Sequence, residues 1–136
     1  MSKTRYIELP SVIESVEEAA ENADEFARSR GFGDETIFAV DLAIRESVAN
    51  AVKHGNRFDE NKAVQVTFSD IDEGLEIRVR DFGTGFSVED IPDPTNPENL
   101  LKTDGRGILF MRSFMDEVEW SNPDGGGLVV RMLKRR

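Results

Sequence analysis

The hydrophobic residues of this chain change their spacing abruptly near its middle, from a helical period to a strand period. Apolar side chains first recur every three or four residues, as in an amphipathic helix, at Ile37, Val40, Ile44, Val48 and Val52 (or Ala51). Asp34 is expected to cap this helix, which runs to about His54. Apolar residues then alternate with polar ones on either side of a turn at 72–74, in the sets Val64, Val66, Phe68 and Leu75, Ile77, Val79. A helix followed by a hairpin predicts helices packed against a largely antiparallel sheet.

The N-terminal part predicts one more strand and one more helix. Residues Thr4–Leu9 are expected to form a strand, and Ser11 with Glu14 has the pattern of a capping box that begins a helix. Gly31 is expected to end this first helix. Its apolar positions at helical spacing are Ile13, Val16, Ala20, Ala23 and Ala27.

The C-terminal part completes the expected fold. A third helix is expected from residue 107 to about residue 115, and a strand at 118–120. Three consecutive glycines at 125–127 indicate a turn before a last strand, from residue 128 to about residue 133. The fold class is therefore expected to be α+β, a two-layer sandwich in which helices cover one face of a mixed, mostly antiparallel sheet.

Length, charge and composition exclude several classes of protein. At 136 residues the chain is expected to be a single domain, residues 1–136, large enough for its own core. Its formal net charge of −10 disfavours direct binding to nucleic acid. The absence of cysteine excludes disulfides and thiolate metal sites, and no apolar run reaches membrane-spanning length. We therefore expect a cytoplasmic protein with no nucleic-acid or membrane partner.

Polar residues cluster on one side of the second helix. Glu46, Asn50 and His54 are spaced by four residues and share a helical side, with Lys53 beside them. A carboxylate, an amide oxygen and a cation in this arrangement suit a metal-bound triphosphate, with Asn50 as an oxygen ligand of Mg²⁺ and Glu46 as a proton acceptor. The alternative is a solvated polar face opposite the core, in which His54 is simply a residue near the helix C-terminus.

Glycines surround two other polar positions. Asp81 follows the second strand of the hairpin and precedes Gly83 and Gly85, so its carboxylate could accept a hydrogen bond from an exocyclic amine such as that of adenine. The segment Gly105-Arg106-Gly107 begins the third helix, where backbone N–H groups and the helix dipole favour phosphate. Each pattern is also that of an ordinary turn, and the chain has neither a Walker nor a Rossmann motif.

A long connection at about residues 87–106 separates these two positions. It contains Pro92, Pro94 and Pro97, and its length favours a functional loop or lid. An amide helix, a strand-end aspartate with glycines, this lid and a glycine-rich helix start occur in one order, which resembles that of the GHKL ATPase superfamily with its Bergerat ATP-binding fold. The resemblance covers nearly the whole chain. Within the superfamily the chain looks most like the anti-sigma-factor serine kinases, especially in residues 99–118.

The resemblance implies roles for particular residues. It implies that Asn50 binds Mg²⁺, that Glu46 is the general base and that Asp81 reads adenine. It implies an ATP site that also includes Gly83, Gly85, Gly105 and Gly107. Further candidates for this site are Lys53, His54, Phe86 and Arg106. Either Lys53 or Arg106 could neutralise the charge that develops during phosphoryl transfer.

The resemblance also implies an activity and partners. Kinases of this subgroup use ATP to phosphorylate a serine on a small STAS-type anti-anti-sigma protein, sequester a sigma factor, and are commonly homodimers. Two alternatives stay open: a regulatory module that binds ATP or a partner without catalysis, and the catalytic fragment of a histidine kinase, although the sequence contains no phosphoacceptor-histidine hairpin. The first is favoured by one departure, because Leu128 and Val129 stand where many GHKL proteins have a threonine or serine early in a late strand.

Overall fold

The computed structural model describes residues 3–83 and 111–136, and their strands form one five-stranded sheet. All four pairings between these strands are antiparallel. Their spatial order is β1-β2-β3-β5-β4. The strands are β1 (Thr4–Pro10), β2 (Ala63–Ile71), β3 (Gly74–Arg80), β4 (Glu117–Ser121) and β5 (Val129–Arg135). The α+β class is therefore confirmed.

Two long helices, α1 (Glu14–Ser29) and α2 (Asp34–Asn50), pack on this sheet. A π-helical turn, Ala51–Gly55, continues α2 to the length expected for it. Residues 111–114 are also helical, and the expected start of that helix at residue 107 lies outside the described residues. No helix within 3–83 and 111–136 is both long enough and apolar enough to cross a membrane.

The core lies between the helices and one face of the sheet. The predicted stripe of α2 is confirmed, since none of its residues is more than 7% exposed. The ring of Phe26 on α1 stacks on that of Phe68 on β2, with centroids 5.9 Å apart. Alternate residues lie on the opposite face, where Arg131 pairs with Glu76 at 2.8 Å and with Glu117 at 3.3 Å. A charged outer face and an apolar inner face confirm the two-layer arrangement.

Three local predictions about helix starts are wrong. Ser11 and Glu14 form no capping box, because α1 begins at Glu14 and the Ser11 hydroxyl instead donates to the Lys62 carbonyl at 2.7 Å. Ile13 is 46% exposed and does not belong to the buried stripe. Asp34 is the first residue of α2 rather than its cap. In the case of Ser11, a tertiary partner competes successfully with the local capping hydrogen bond.

Candidate functional site

Asp81 lies just beyond the end of β3, with its carboxylate inside the protein. The residue is 4% exposed, and its backbone N–H donates to the Leu128 carbonyl at 3.0 Å. The N–H of Gly83 donates to its Oδ1 at 3.1 Å. Burial raises the pKa of Asp81 to about 6, although backbone hydrogen bonds with Gly83 and Leu128 and the charge of Arg80 oppose this shift. A carboxylate removed from water in this way is a strong acceptor for a donor that a ligand brings to it.

Gly55, the last residue of the π-helical turn, packs directly against this carboxylate. A Cβ atom on Gly55 would lie 2.1 Å from Asp81 Oδ2, and one on Gly83 would lie 1.6 Å from the Gly55 carbonyl oxygen. A glycine at position 83 could permit close approach of either a ligand or another part of the chain. In the structure, it is the backbone of the π-helical turn that approaches Gly83, so both glycines are required for packing between α2 and the end of β3.

Glu46 and Asn50 lie on the last turns of α2, and both are half-buried. Lys53 is exposed and His54 is half-buried in the turn that follows. Because Ala51–Gly55 is π-helical, the four-residue step from Asn50 to His54 does not follow the α-helical register that the sequence predicts. Glu46 and Asn50 therefore share a side of α2 through its α-helical spacing, whereas His54 lies in the π-helical turn beyond it.

The donor set near the end of α2 fits a metal ion that arrives with phosphate. No group of three or more histidine, aspartate or glutamate side chains that could hold a metal ion occurs in residues 3–83 and 111–136. Asn50 offers one amide oxygen, and Glu46 offers a carboxylate one α-helical turn before it. Mg²⁺ commonly keeps several waters and uses one or two protein ligands plus substrate phosphates, so these residues fit that mode of binding.

The expected lid at 87–106 lies outside the described residues. So do five of the predicted site residues, which are Gly85, Phe86, Gly105, Arg106 and Gly107.

Backbone atoms of the turn before β5 border Asp81. Leu128 contributes the carbonyl that accepts the Asp81 N–H. The preceding Gly127 has φ +85°, and a Cβ atom there would lie 1.9 Å from the Asp81 carbonyl oxygen. Arg80 fastens this glycine turn, because its Nη2 donates to the carbonyls of Asp124 and Gly126 at 3.2 and 3.1 Å. The Leu128 carbonyl and the glycine turn therefore pack closely against the backbone of Asp81.

Asn56 is absent from the predicted site residues, yet it touches the strand end that carries Asp81. The residue is 2% exposed, and its Oδ1 accepts the N–H of Phe82 at 2.9 Å. An asparagine directly after a helix-ending glycine is an ordinary pattern. The position of Asn56 next to Gly55 is therefore the one feature of the sequence that could have indicated a role near the site.

Comparisons with known proteins identify a family and several relatives of this chain. The profile of the family described as the histidine kinase-like ATPase domain matches residues 9–134. Serine-protein kinase RsbW of Oceanobacillus iheyensis is 29% identical over an alignment that covers 98% of this chain and 89% of that protein. The anti-sigma F factor of Clostridium perfringens is 32% identical over 105 residues, which cover 74% of each chain.

A solved structure has the same fold. The RsbU and RsbW domains of Rv1364c from Mycobacterium tuberculosis match with a TM-score of 0.72 at 18% identity, over 98% of this chain and 32% of that one. The family profile covers almost the whole chain, including the helix with Glu46 and Asn50 and the strand end with Asp81. This chain belongs to the histidine kinase-like ATPase domain family.

Proposed function

We propose that this chain is an ATP-dependent serine protein kinase that phosphorylates a STAS-type anti-anti-sigma protein and sequesters a sigma factor. Its family is one of ATPase domains, and relatives that it matches along most of their length bear the names serine-protein kinase RsbW and anti-sigma F factor. Those names support the two halves of the proposal, the kinase and the anti-sigma factor. The kinase would act in the cytoplasm as a homodimer.

The buried carboxylate of Asp81 carries the proposal. A buried charge is unfavourable unless it is compensated, and the pKa of about 6 means that backbone hydrogen bonds do not fully compensate this one. An adenine ring that donates its exocyclic N–H to the carboxylate would supply the missing compensation. ATP binding would then favour the charged form of Asp81. Folding alone does not favour that form, so a ligand explains a carboxylate at this buried position.

The residues on α2 suit transfer of the γ-phosphoryl group to serine. The serine oxygen forms a bond to the γ-phosphorus while the bond to the bridging oxygen of ADP breaks, and Glu46 accepts the proton that the hydroxyl loses. Asn50 would hold Mg²⁺, whose charge offsets that of the phosphates. Lys53 or Arg106 would neutralise developing charge, and N–H groups of the 105–107 segment would meet the phosphates.

The kinase half of this proposal is tested with radiolabelled ATP, Mg²⁺ and candidate STAS-domain proteins. We expect label on a serine of one of them. Glu46→Gln tests the role of the general base, because it removes only the proton acceptor. Phosphoryl transfer should fall by about 10²–10⁴-fold while the affinity for ATP stays unchanged. Acid-labile label on a histidine would instead identify a histidine-kinase fragment. Demonstrated ATP binding without transfer to any candidate would contradict the kinase activity.

The second candidate is a regulatory module that captures its partner without catalysis. It is favoured by the backbone groups that replace a hydroxyl side chain beside Asp81, since Leu128 offers no side-chain hydrogen bond to an adenine network. If the chain is such a module, a column of immobilised native chain and one of immobilised Glu46→Gln should bind the same amount of a sigma factor. The amount bound should not depend on ATP. A kinase that sequesters its sigma factor in a nucleotide-bound state should show retention that depends on ATP.

A further inference from the structure

Asn56 lies where three parts of the chain meet beside Asp81. Its Oδ1 accepts the N–H of Phe82 at 2.9 Å. Its Nδ2 donates to Ser11 Oγ at 2.6 Å and to the Ala63 carbonyl at 2.9 Å. One buried amide therefore joins the end of β3 to the β1–α1 junction and to the first residue of β2.

The partners of Asn56 permit only one orientation of its amide. The Phe82 N–H can only donate and the Ala63 carbonyl can only accept, so the oxygen must face Phe82 and the nitrogen must face Ala63. Ser11, which is 0% exposed, accepts from Asn56 and donates its own proton to the Lys62 carbonyl at 2.7 Å. Both N–H groups and the oxygen of the amide are thus satisfied away from water, which makes the network rigid.

This network holds the backbone on one side of the Asp81 carboxylate. Phe82 follows Asp81 directly, and the next residue, Gly83, donates to Asp81 Oδ1 at 3.1 Å. On the other side, Gly55 packs so closely that a Cβ atom would lie 2.1 Å from Oδ2. The Gly55–Asn56 pair therefore contacts the strand end through packing and through a hydrogen bond, and leaves the carboxylate a narrow range of directions.

We propose that Asn56 is a positioning residue that sets the direction in which Asp81 presents its carboxylate to a nucleotide base, and that Ser11 orients Asn56. This role rests on the nucleotide binding proposed above. Adenine offers an exocyclic amine, whereas guanine has a carbonyl oxygen at the equivalent position, which a carboxylate repels. Because hydrogen bonds weaken steeply with misalignment, a displaced Asp81 should lose more affinity for ATP than for GTP.

The experiment compares dissociation constants for ATP and GTP by calorimetry, at a temperature where circular dichroism shows each variant folded. In Asn56→Ala the preference for ATP should fall about tenfold, the equivalent of one hydrogen bond, and in Ser11→Ala it should fall less. Val66→Ala truncates a fully buried residue of β2 and is the stability control. Its preference should match that of the native chain, because a general loss of stability weakens both nucleotides alike.

An unchanged preference for ATP in folded Asn56→Ala would overturn the positioning role. If Asn56→Ala does not fold, the same ratio of ATP and GTP dissociation constants is measured for Asn56→Asp. As a carboxylate, the new side chain keeps an acceptor for the Phe82 N–H but loses both donors of the amide, so its preference for ATP should fall as well. If that variant does not fold either, Ser11→Ala decides. A native chain that binds neither nucleotide refutes the nucleotide site itself, and one that binds both equally refutes the contact between Asp81 and adenine. Both results concern the native chain, so they are distinct from a failure of the positioning role, which appears only in the variants.

Discussion

Replacing Asp81 with asparagine should change how the stability of the nucleotide-free protein depends on pH. The residue is 4% exposed, and burial raises its pKa from an ordinary value of 3.8 to about 6. Asp81→Asn keeps the side-chain shape and an oxygen to accept the Gly83 N–H, but it cannot become charged. Any cost of placing an amide nitrogen there is the same at every pH, so the pH dependence isolates the charge.

The sign follows from the direction of the shift. A folded-state pKa above the unfolded value means that the folded protein binds the proton more tightly, so this stabilisation is complete below pH 3.8 and is lost as the pH rises through 6. A shift of about two units corresponds to about 3 kcal/mol. Between pH 4 and pH 7 the native chain should lose about 2–3 kcal/mol of unfolding free energy relative to Asp81→Asn, which is roughly 6–10 °C in melting temperature.

Urea unfolding at matched pH values, followed by the single tryptophan, Trp120, measures this difference. All other carboxyl groups are common to both proteins and cancel. Asp70→Asn is the control: burial raises the pKa of Asp70, but its hydrogen bond from Arg30 and the charge and hydrogen bond of Arg136 bring it below 3.8. Its titration therefore falls below about pH 4, and its curve should run nearly parallel to that of the native chain from pH 4 to 7. If the unfolding free energy of Asp81→Asn ran parallel to that of the native chain from pH 4 to 7, the burial of the charge would be refuted.

Three further predictions concern other residues. Asn50→Ala should make ATP affinity independent of Mg²⁺, and calorimetry that still shows a magnesium effect would contradict its role as ligand. Gly55→Ala should lose at least about 2 kcal/mol of stability because its Cβ would overlap a carboxylate, whereas Gly33→Ala, with no atom within 4 Å of its Cβ, should lose less than about 1 kcal/mol. Burial, followed by the hydrogen bond and charge of Asp41, raises the pKa of Asp24 to about 6. Asp24→Asn should therefore raise the melting temperature more at pH 7.5 than at pH 4.5, and an equal effect at both would disprove the shift.

The spacing of hydrophobic residues predicts α2 and the hairpin correctly. Burial of one face of a helix or strand requires a regular spacing that can be read from neighbouring residues. The alternation through Val66 and Ile77 indicates which face of each strand lies inside, and both side chains are buried in the structure. The predicted start of α1 is wrong because the partner of Ser11, the Lys62 carbonyl, lies 51 residues further along the chain. A local capping pattern has no information about such a competitor, and the tertiary hydrogen bond is the one that forms.

The candidate site shows the same division between local chemistry and tertiary packing. Asp81 is singled out in the sequence by its place in an ordered set of motifs, because a carboxylate at a strand end beside glycines is by itself also an ordinary turn. Gly55 looks like any glycine that ends a helix. Only the fold reveals that Gly55 leaves room for the carboxylate. Two variants separate these contributions: Asp81→Asn removes the charge and keeps the packing, while Gly55→Ala keeps the charge and displaces it. Both should lose ATP affinity, but at pH 7 only Gly55→Ala should lose stability, because Asp81→Asn removes the unfavourable buried charge.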